Sequence, residues 1–262
     1  MTDNWAKTPI DMSDLDLSGD GLATNWPLLH AGNNEPYPED PQVQEAWRRY
    51  HLGDFAGAVT LGREIGGEGI VPAAFAATIY AQYVEQDEGR KSALFQQVIK
   101  WCEEAEATGL STANLHYMHA VSMGRYSQFI SMIEALAQGF GGRIKEQAQK
   151  CLELDNDHAE GHVTLAGWHA AISDQAGALM AKMLYGAERD GAFEHYDIAV
   201  ALAPDSPVPL IEYADGIEVM FGDSKKADII AKLEQAMEKR AVDAMQRLDK
   251  EKARQHLLAL SA

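Results

Sequence analysis

Three features of the sequence predict an all-α protein built from helical hairpins. From Pro41 onward, apolar residues recur at three- and four-residue steps. Proline, aspartate and glycine fall where such stretches would begin and end. No stretch alternates apolar and polar residues as a half-buried strand would.

Asp40 is placed to cap a first helix, with Pro41 in its first turn and Val43, Ala46, Trp47 and Tyr50 on one face, and the stretch stops at Gly53. Asp54 then caps a second helix through Phe55, Ala58, Val59, Leu61 and Ile65, ended by Gly66 and Gly67, which completes a hairpin. Pro72 opens the next, with Phe75, Ile79, Tyr80 and Tyr83, and a longer one carries Leu94, Phe95, Val98, Ile99 and Cys102. Thr112 caps a helix holding Leu115, Met118, His119 and Ser122, which is expected to continue through Phe129, Met132, Ile133 and Leu136 until Gly139, Gly141 and Gly142 break it. Further helices are expected over 144–154, 159–172, 176–185, 193–202, 208–221 and from 226 into the C-terminal region. Hairpins in succession pack either as an α-solenoid or as a compact bundle.

A search for internal repeats separates those two. Cys151-Leu152-Glu153-Leu154-Asp155-Asn156-Asp157 and Ala199-Val200-Ala201-Leu202-Ala203-Pro204-Asp205 share a pattern of small residue, aliphatic, variable, Leu, variable, Asn or Pro, and Asp. The pattern resembles the end of one tetratricopeptide repeat and the start of the next, and Gly53-Asp54-Phe55-Ala56-Gly57-Ala58-Val59 resembles that family's mid-repeat turn. The two matches stand 48 residues apart, against a usual period of about 34, which implies an insertion. Residues 161–205, from Gly161-His162-Val163-Thr164-Leu165-Ala166-Gly167-Trp168 to Pro204, resemble the regulator of microtubule dynamics family, whose repeats carry such a segment. The stretch from Phe193 through Glu212-Tyr213-Ala214 to Phe221-Gly222-Asp223 is similar to the tetratricopeptide T-component associated with TRAP-type transporters. These resemblances imply a tetratricopeptide-like α-solenoid over residues 40–262 that binds and does not catalyse.

Residues 1–39 are different in kind. They hold Pro9, Pro27, Pro36 and Pro38 and seven acids against Lys7 alone, with no sustained period, and read as an extended acidic arm. Trp5, Trp26, Leu28, Leu29 and Tyr37 are too apolar for a solvated tail, so the arm is expected to dock, without regular structure, on the helical body or on a second copy in a homo-oligomer. On that reading, a chain lacking residues 1–38 keeps a folded body and exposes an apolar patch.

The whole chain carries 40 acidic against 22 basic residues, a formal net charge of −18 over 262 residues, so it repels phosphate backbones and no nucleic acid is expected as partner. The densest cationic stretch, Lys239 to Arg254, alternates with Glu238, Asp243, Asp249 and Glu251 and reads as a solvated helix face. No apolar run approaches the roughly 20 residues needed to span a bilayer, which argues against integral membrane association. The start of the chain lacks the basic, then apolar, pattern of a secretory signal, and Cys102 and Cys151 sit in amphipathic stretches as expected of buried thiols, so a cytoplasmic location is expected.

Motifs suggestive of chemistry are incomplete. Asp16-Leu17-Ser18-Gly19-Asp20-Gly21 opens like a calcium loop, but Pro27 holds the twelfth position, where a bidentate Glu belongs. His158 and His162, with Glu160 between them and His169 beyond, and likewise His116 and His119, have spacings that can hold a metal but no identifiable further ligand. His195, beside Glu194 and Tyr196, lacks an evident acid-base partner. Gly139-Phe140-Gly141-Gly142-Arg143 has the glycines of a phosphate cradle without its strand or Lys-Ser/Thr, and reads as a helix break, as Gly66-Gly67-Glu68-Gly69 reads as a hinge. No metal, cofactor or catalytic residue is expected.

Tyr80, Tyr83, Tyr117, Met118, Trp168, Met180, Met183 and Tyr185 are the candidates for a concave groove, where adaptable Met and amphipathic Tyr suit a partner helix or an apolar ligand. The leading expectation is an adaptor for a peptide or protein, favoured to be basic by the chain's acidity. The alternative is a small-molecule or lipid binder with an internal helical pocket. Trp168 is expected to be buried on the face shared with Leu165 and Ile172.

Overall fold

The computed structural model describes residues 2 and 4–261; Met1, Asp3 (one of the arm's acids) and Ala262 lie outside it. Among the described residues the chain is helical without a strand: α1 Gly21–Leu29, α2 Pro41–His51, α3 Phe55–Ile65, α4 Ile70–Tyr83, α5 Glu88–Ala107, α6 Ala113–Tyr126, α7 Met132–Ala137, α8 Phe140–Leu154, α9 Ala159–Ala176, α10 Ala178–Tyr185, α11 Arg189–Leu202, α12 Val208–Phe221, α13 Lys226–Glu238 and α14 Ala244–Ser261. No helix among these residues is long and apolar enough to cross a membrane.

Helix starts follow local chemistry. Side-chain oxygens of Asp40, Asp54, Asp87 and Thr112 accept the exposed amides of Gln42, Gly57, Arg90 and Leu115. His158 does the same for α9 through Nδ1, which accepts from the Gly161 amide at 2.8 Å. The Asp16 carboxylate accepts from both the amide and the hydroxyl of Ser18, turning the chain into α1.

Several boundaries differ from the sequence expectation. Pro72 lies within the first turn of α4, where its missing N–H leaves no helical bond unmade, and the helix begins at Ile70. The stretch expected to run on through Leu136 stops at Tyr126; a 3-10 turn follows, and Ser131 caps the separate α7 by accepting the Glu134 amide. Gly139 takes the left-handed conformation (φ +67°) between α7 and α8, while Gly141 and Gly142 lie inside the first turn of α8 and break nothing.

Packing arranges these helices in two layers. The helices α2, α4, α6, α9, α12 and α14 each touch the next, and α14 returns to α2, so the six form a closed ring. Outside it lie α3, α5, α8, α11 and α13, each bridging two successive ring helices. Close approach demands small residues: a Cβ on Gly216 of α12 would stand 2.3 Å from the Tyr196 hydroxyl of α11.

The N-terminal segment is part of this body. Trp5 stacks on Tyr80 with ring centroids 3.8 Å apart, and Leu17, Leu22, Trp26 and Leu29 are buried in the largest core cluster. Gly21–Leu29 is helical, not extended, because Leu22, Trp26 and Leu29 fall at helical spacing and bury one face against α2. The stretch from Lys239 to Arg254 is also corrected. Asp243 and Asp249 are 1% and 6% exposed, so these two acids are not solvated, while Glu238, Lys252 and Arg254 are exposed as expected.

Candidate functional site

The closed ring surrounds a cavity of about 630 Å³. Its lining comes from all six ring helices, including Tyr50 of α2, Phe75 and Tyr83 of α4, Arg125 of α6, Glu160 and Trp168 of α9, Glu212 of α12 and Asp249 of α14. Tyr50, Glu160 and Asp249 are buried, whereas Gln128, Gln175 and Glu218 on the same lining are exposed, so the cavity has a closed floor and an open mouth.

The floor is polar and incompletely paired. Tyr117 and Asn33 stand beside the Glu160 carboxyl and favour its ionised form, yet its Oε2 is buried with no partner, as is the Tyr50 hydroxyl. Burial pushes Glu160 up to about 7 against the pull of those two groups. Asp249 accepts a hydrogen bond from the Tyr83 hydroxyl and is likewise lifted by burial to about 7. Nearer the mouth the charges are paired: Arg125 Nη2 to Glu212 at 3.0 Å, Lys252 Nζ to Asp215 at 3.4 Å, and His256 Nε2 to Glu218 at 3.2 Å. Asp215, Glu218 and His256 bring ligand atoms within 4.8 Å of one another, but Lys252 already occupies Asp215.

Behind the floor a buried chain of hydrogen bonds joins both ends of the sequence. Asn33 Oδ1 only accepts, so His30 carries its proton on Nδ1 (2.8 Å) and its Nε2 accepts from His51 Nε2 at 3.1 Å. His51 Nδ1 in turn meets Asp243 Oδ2 at 2.8 Å, with a proton between them. Burial and the adjacent His51 hold His30 well below the ordinary imidazole range. Asn33 therefore stands between the cavity carboxyl and a hydrogen-bonded chain anchored at the start of α14.

Of the groove candidates, Tyr83, Tyr117, Met118 and Trp168 line the cavity and Tyr80, Met180, Met183 and Tyr185 do not. Tyr80 is covered by Trp5, and its hydroxyl accepts the Ala6 amide at 3.1 Å. Met180 and Met183 are exposed on α10. Tyr185 packs over Gly141 of α8, because α10 lies outside the ring. Trp168 is 4% exposed and donates from Nε1 to the Gly141 carbonyl at 2.6 Å.

The histidines meet other partners than a shared metal. His158 faces Asn114 with its second nitrogen at 3.0 Å, His162 faces His195 at 2.8 Å, and His169 accepts the Glu188 amide at 3.0 Å. His116 lies between Gln147 and Ser111, and His119 bonds Glu106 at 2.6 Å. Sequence reasoning missed Tyr50, Arg125, Glu160, Glu212 and Asp249 as a group. The available signal was periodic: Asp249 follows Met245 by four residues on the buried stripe of α14.

Fold and site together define an all-α protein with a half-enclosed internal cavity. No family model matches the chain, and no curated protein matches it.

Proposed function

We propose that this chain is a non-catalytic binding protein that holds a small molecule inside a ring of tetratricopeptide-like hairpins. The observation that carries the reading is the cavity floor: Glu160 and Tyr50 both belong to the lining of about 630 Å³ of space, and Glu160 Oε2 and the Tyr50 hydroxyl are buried beside it without partners. Buried polar atoms left unpaired are costly, and a ligand supplies what the protein lacks. The volume lies within the roughly 300–1,000 Å³ usual for small-molecule sites. Outer helices that each bridge two inner ones support the hairpin-repeat reading of the sequence. The two cysteines are buried free thiols, which suits the cytoplasm.

Native mass spectrometry of gently purified protein tests this. Gly124 lines the cavity, and nothing lies within 4 Å of a Cβ built there. The parent should carry a small-molecule adduct that Gly124→Phe excludes while melting as a folded protein; an adduct that survives the substitution overturns the reading.

A second reading, an adaptor for a protein partner, rests on Met132, Ile133 and Leu136 of α7 and Leu179, Met183 and Leu184 of α10, all large apolar side chains left exposed. Charged substitutions there should abolish capture of that partner and spare the adduct.

A further inference from the structure

We propose that the occupant of the cavity is an organic cation, an ammonium group on an apolar body, with Glu160 and Asp249 as its counter-charges. The inference rests on the cavity-binding reading and adds the chemical class of the ligand.

The charges of the lining do not balance. Five carboxyls, Glu160, Glu212, Asp215, Glu218 and Asp249, share it with Arg125, Lys252 and His256. Each of those three bases is already engaged, with Glu212, Asp215 and Glu218 respectively. Glu160 and Asp249 remain, 4% and 6% exposed. Among the described residues neither forms a salt bridge, and Lys252 and Arg125, which act on Asp249 from a distance, are engaged by Asp215 and Glu212; the neutral Tyr83 bonds Asp249, and the neutral Tyr117 and Asn33 stand beside Glu160. A buried carboxylate without a cation is among the costliest arrangements in a protein interior. The second observation is that Glu160, a residue of the cavity lining, has its Oε2 buried and unpartnered.

The rest of the floor suits an ammonium in particular. Tyr117 stands beside Glu160 and Tyr83 beside Asp249, Tyr50 lies on the same lining, and such rings attract a cation through their electron-rich faces. Tyr50, Glu160 and Asp249 all belong to the lining of the one cavity. Ile79, Val121, Val163 and Met245 of the same lining offer an apolar surface to the rest of such a molecule. An anion would meet like charge at the floor, and a neutral molecule would offer the carboxyls no counter-charge. A hard divalent ion needs a shell of six or more oxygens, which a wall of rings and aliphatic chains does not offer.

A charge series on one skeleton tests the assignment: 2-phenylethylammonium, 2-phenylethanol and phenylacetate, titrated calorimetrically into the full chain. The ammonium should bind at least tenfold more tightly than the alcohol, and phenylacetate more weakly still. Glu160→Gln and Asp249→Asn, near-isosteric and checked by their melting curves, should each weaken the ammonium tenfold or more and bring it level with the alcohol. The series in the parent stands even if a variant fails to fold. Alcohol or phenylacetate binding as tightly as the ammonium, or an ammonium affinity unmoved by Glu160→Gln, overturns the cation and leaves the cavity reading intact. Failure of all three probes to bind the parent also overturns the cation, and the cavity reading then stands or falls separately on the adduct and its loss in Gly124→Phe.

Discussion

Glu160 is faced by Tyr117 and Asn33, which favour its ionised form, and by the charges of Asp243 and Glu212. Its folded form holds a proton up to about pH 7, whereas its unfolded form releases one near the ordinary value of 4.5. Between those limits the native state binds more protons than the unfolded state, so this group's contribution to stability falls as pH rises. Glu160→Gln removes the titration. The variant should therefore gain on the parent as pH climbs from 4.5 to 7, at about 1.4 kcal/mol per pH unit and on the order of 3 kcal/mol in all. Urea unfolding of both proteins at pH 5 and pH 8 measures it; a constant difference between them would show that the carboxyl is not held neutral by burial.

At the scale of the element, α14 closes the ring, and Asp243 performs two tasks at its start. Oδ1 accepts the Gln246 amide at 3.0 Å as the helix cap, and Oδ2 meets His51 of α2 at 2.8 Å. The two contributions separate by substitution. Asp243→Ala loses a cap, about 0.5–2 kcal/mol, and leaves a buried ring nitrogen unpaired, about 1–3 kcal/mol more. Asp243→Ser keeps a capping oxygen and should recover the first part only. Equal melting temperatures for the two variants would mean that the cap contributes nothing.

On the scale of the whole molecule, the N-terminal segment behaves as core. Leu17, Leu22, Trp26 and Leu29 are buried among helices of the body. Arg48 donates to the Leu17 carbonyl at 2.8 Å, and Arg247 grips the Asp14 carboxylate at 2.7 and 2.9 Å. Four such side chains at roughly 1.5–3 kcal/mol each contribute about as much as the roughly 5–15 kcal/mol by which a typical domain is stable. Deletion of residues 1–38 should thus abolish a cooperative thermal transition, where a merely docked arm would leave the body folded. Calorimetry of the truncated chain decides, and a parental melting temperature would return the segment to the status of an arm.

Helix type and many helix starts were legible from the sequence alone, since capping and periodicity act over a few residues. Asp40, Asp54 and Thr112 cap where their positions predict. The helical turn at Gly21–Leu29 was not legible, because Pro27 argues against it locally and only burial of Leu22, Trp26 and Leu29 decides for it. Part of the candidate site could be read as well: Tyr83, Tyr117, Met118 and Trp168 lie on the cavity, picked by residue type and helical spacing. Tyr80 has the same type and spacing but faces outward under Trp5, a contact 75 positions away in the chain.

What the sequence determined by itself is the succession of amphipathic helices, because each needs only its own neighbours to cap it and a 3.6-residue period to gather an apolar face. Closure of the ring was decided by tertiary structure alone, since it depends on α14 meeting α2 and on His51 finding Asp243 across 192 residues. The cavity is a consequence of that closure. Glu160 and Asp249 look like surface acids in sequence; they become buried carboxyls without a salt bridge only when α9 and α14 are brought to the same interior, where low polarizability alters what a carboxyl can do.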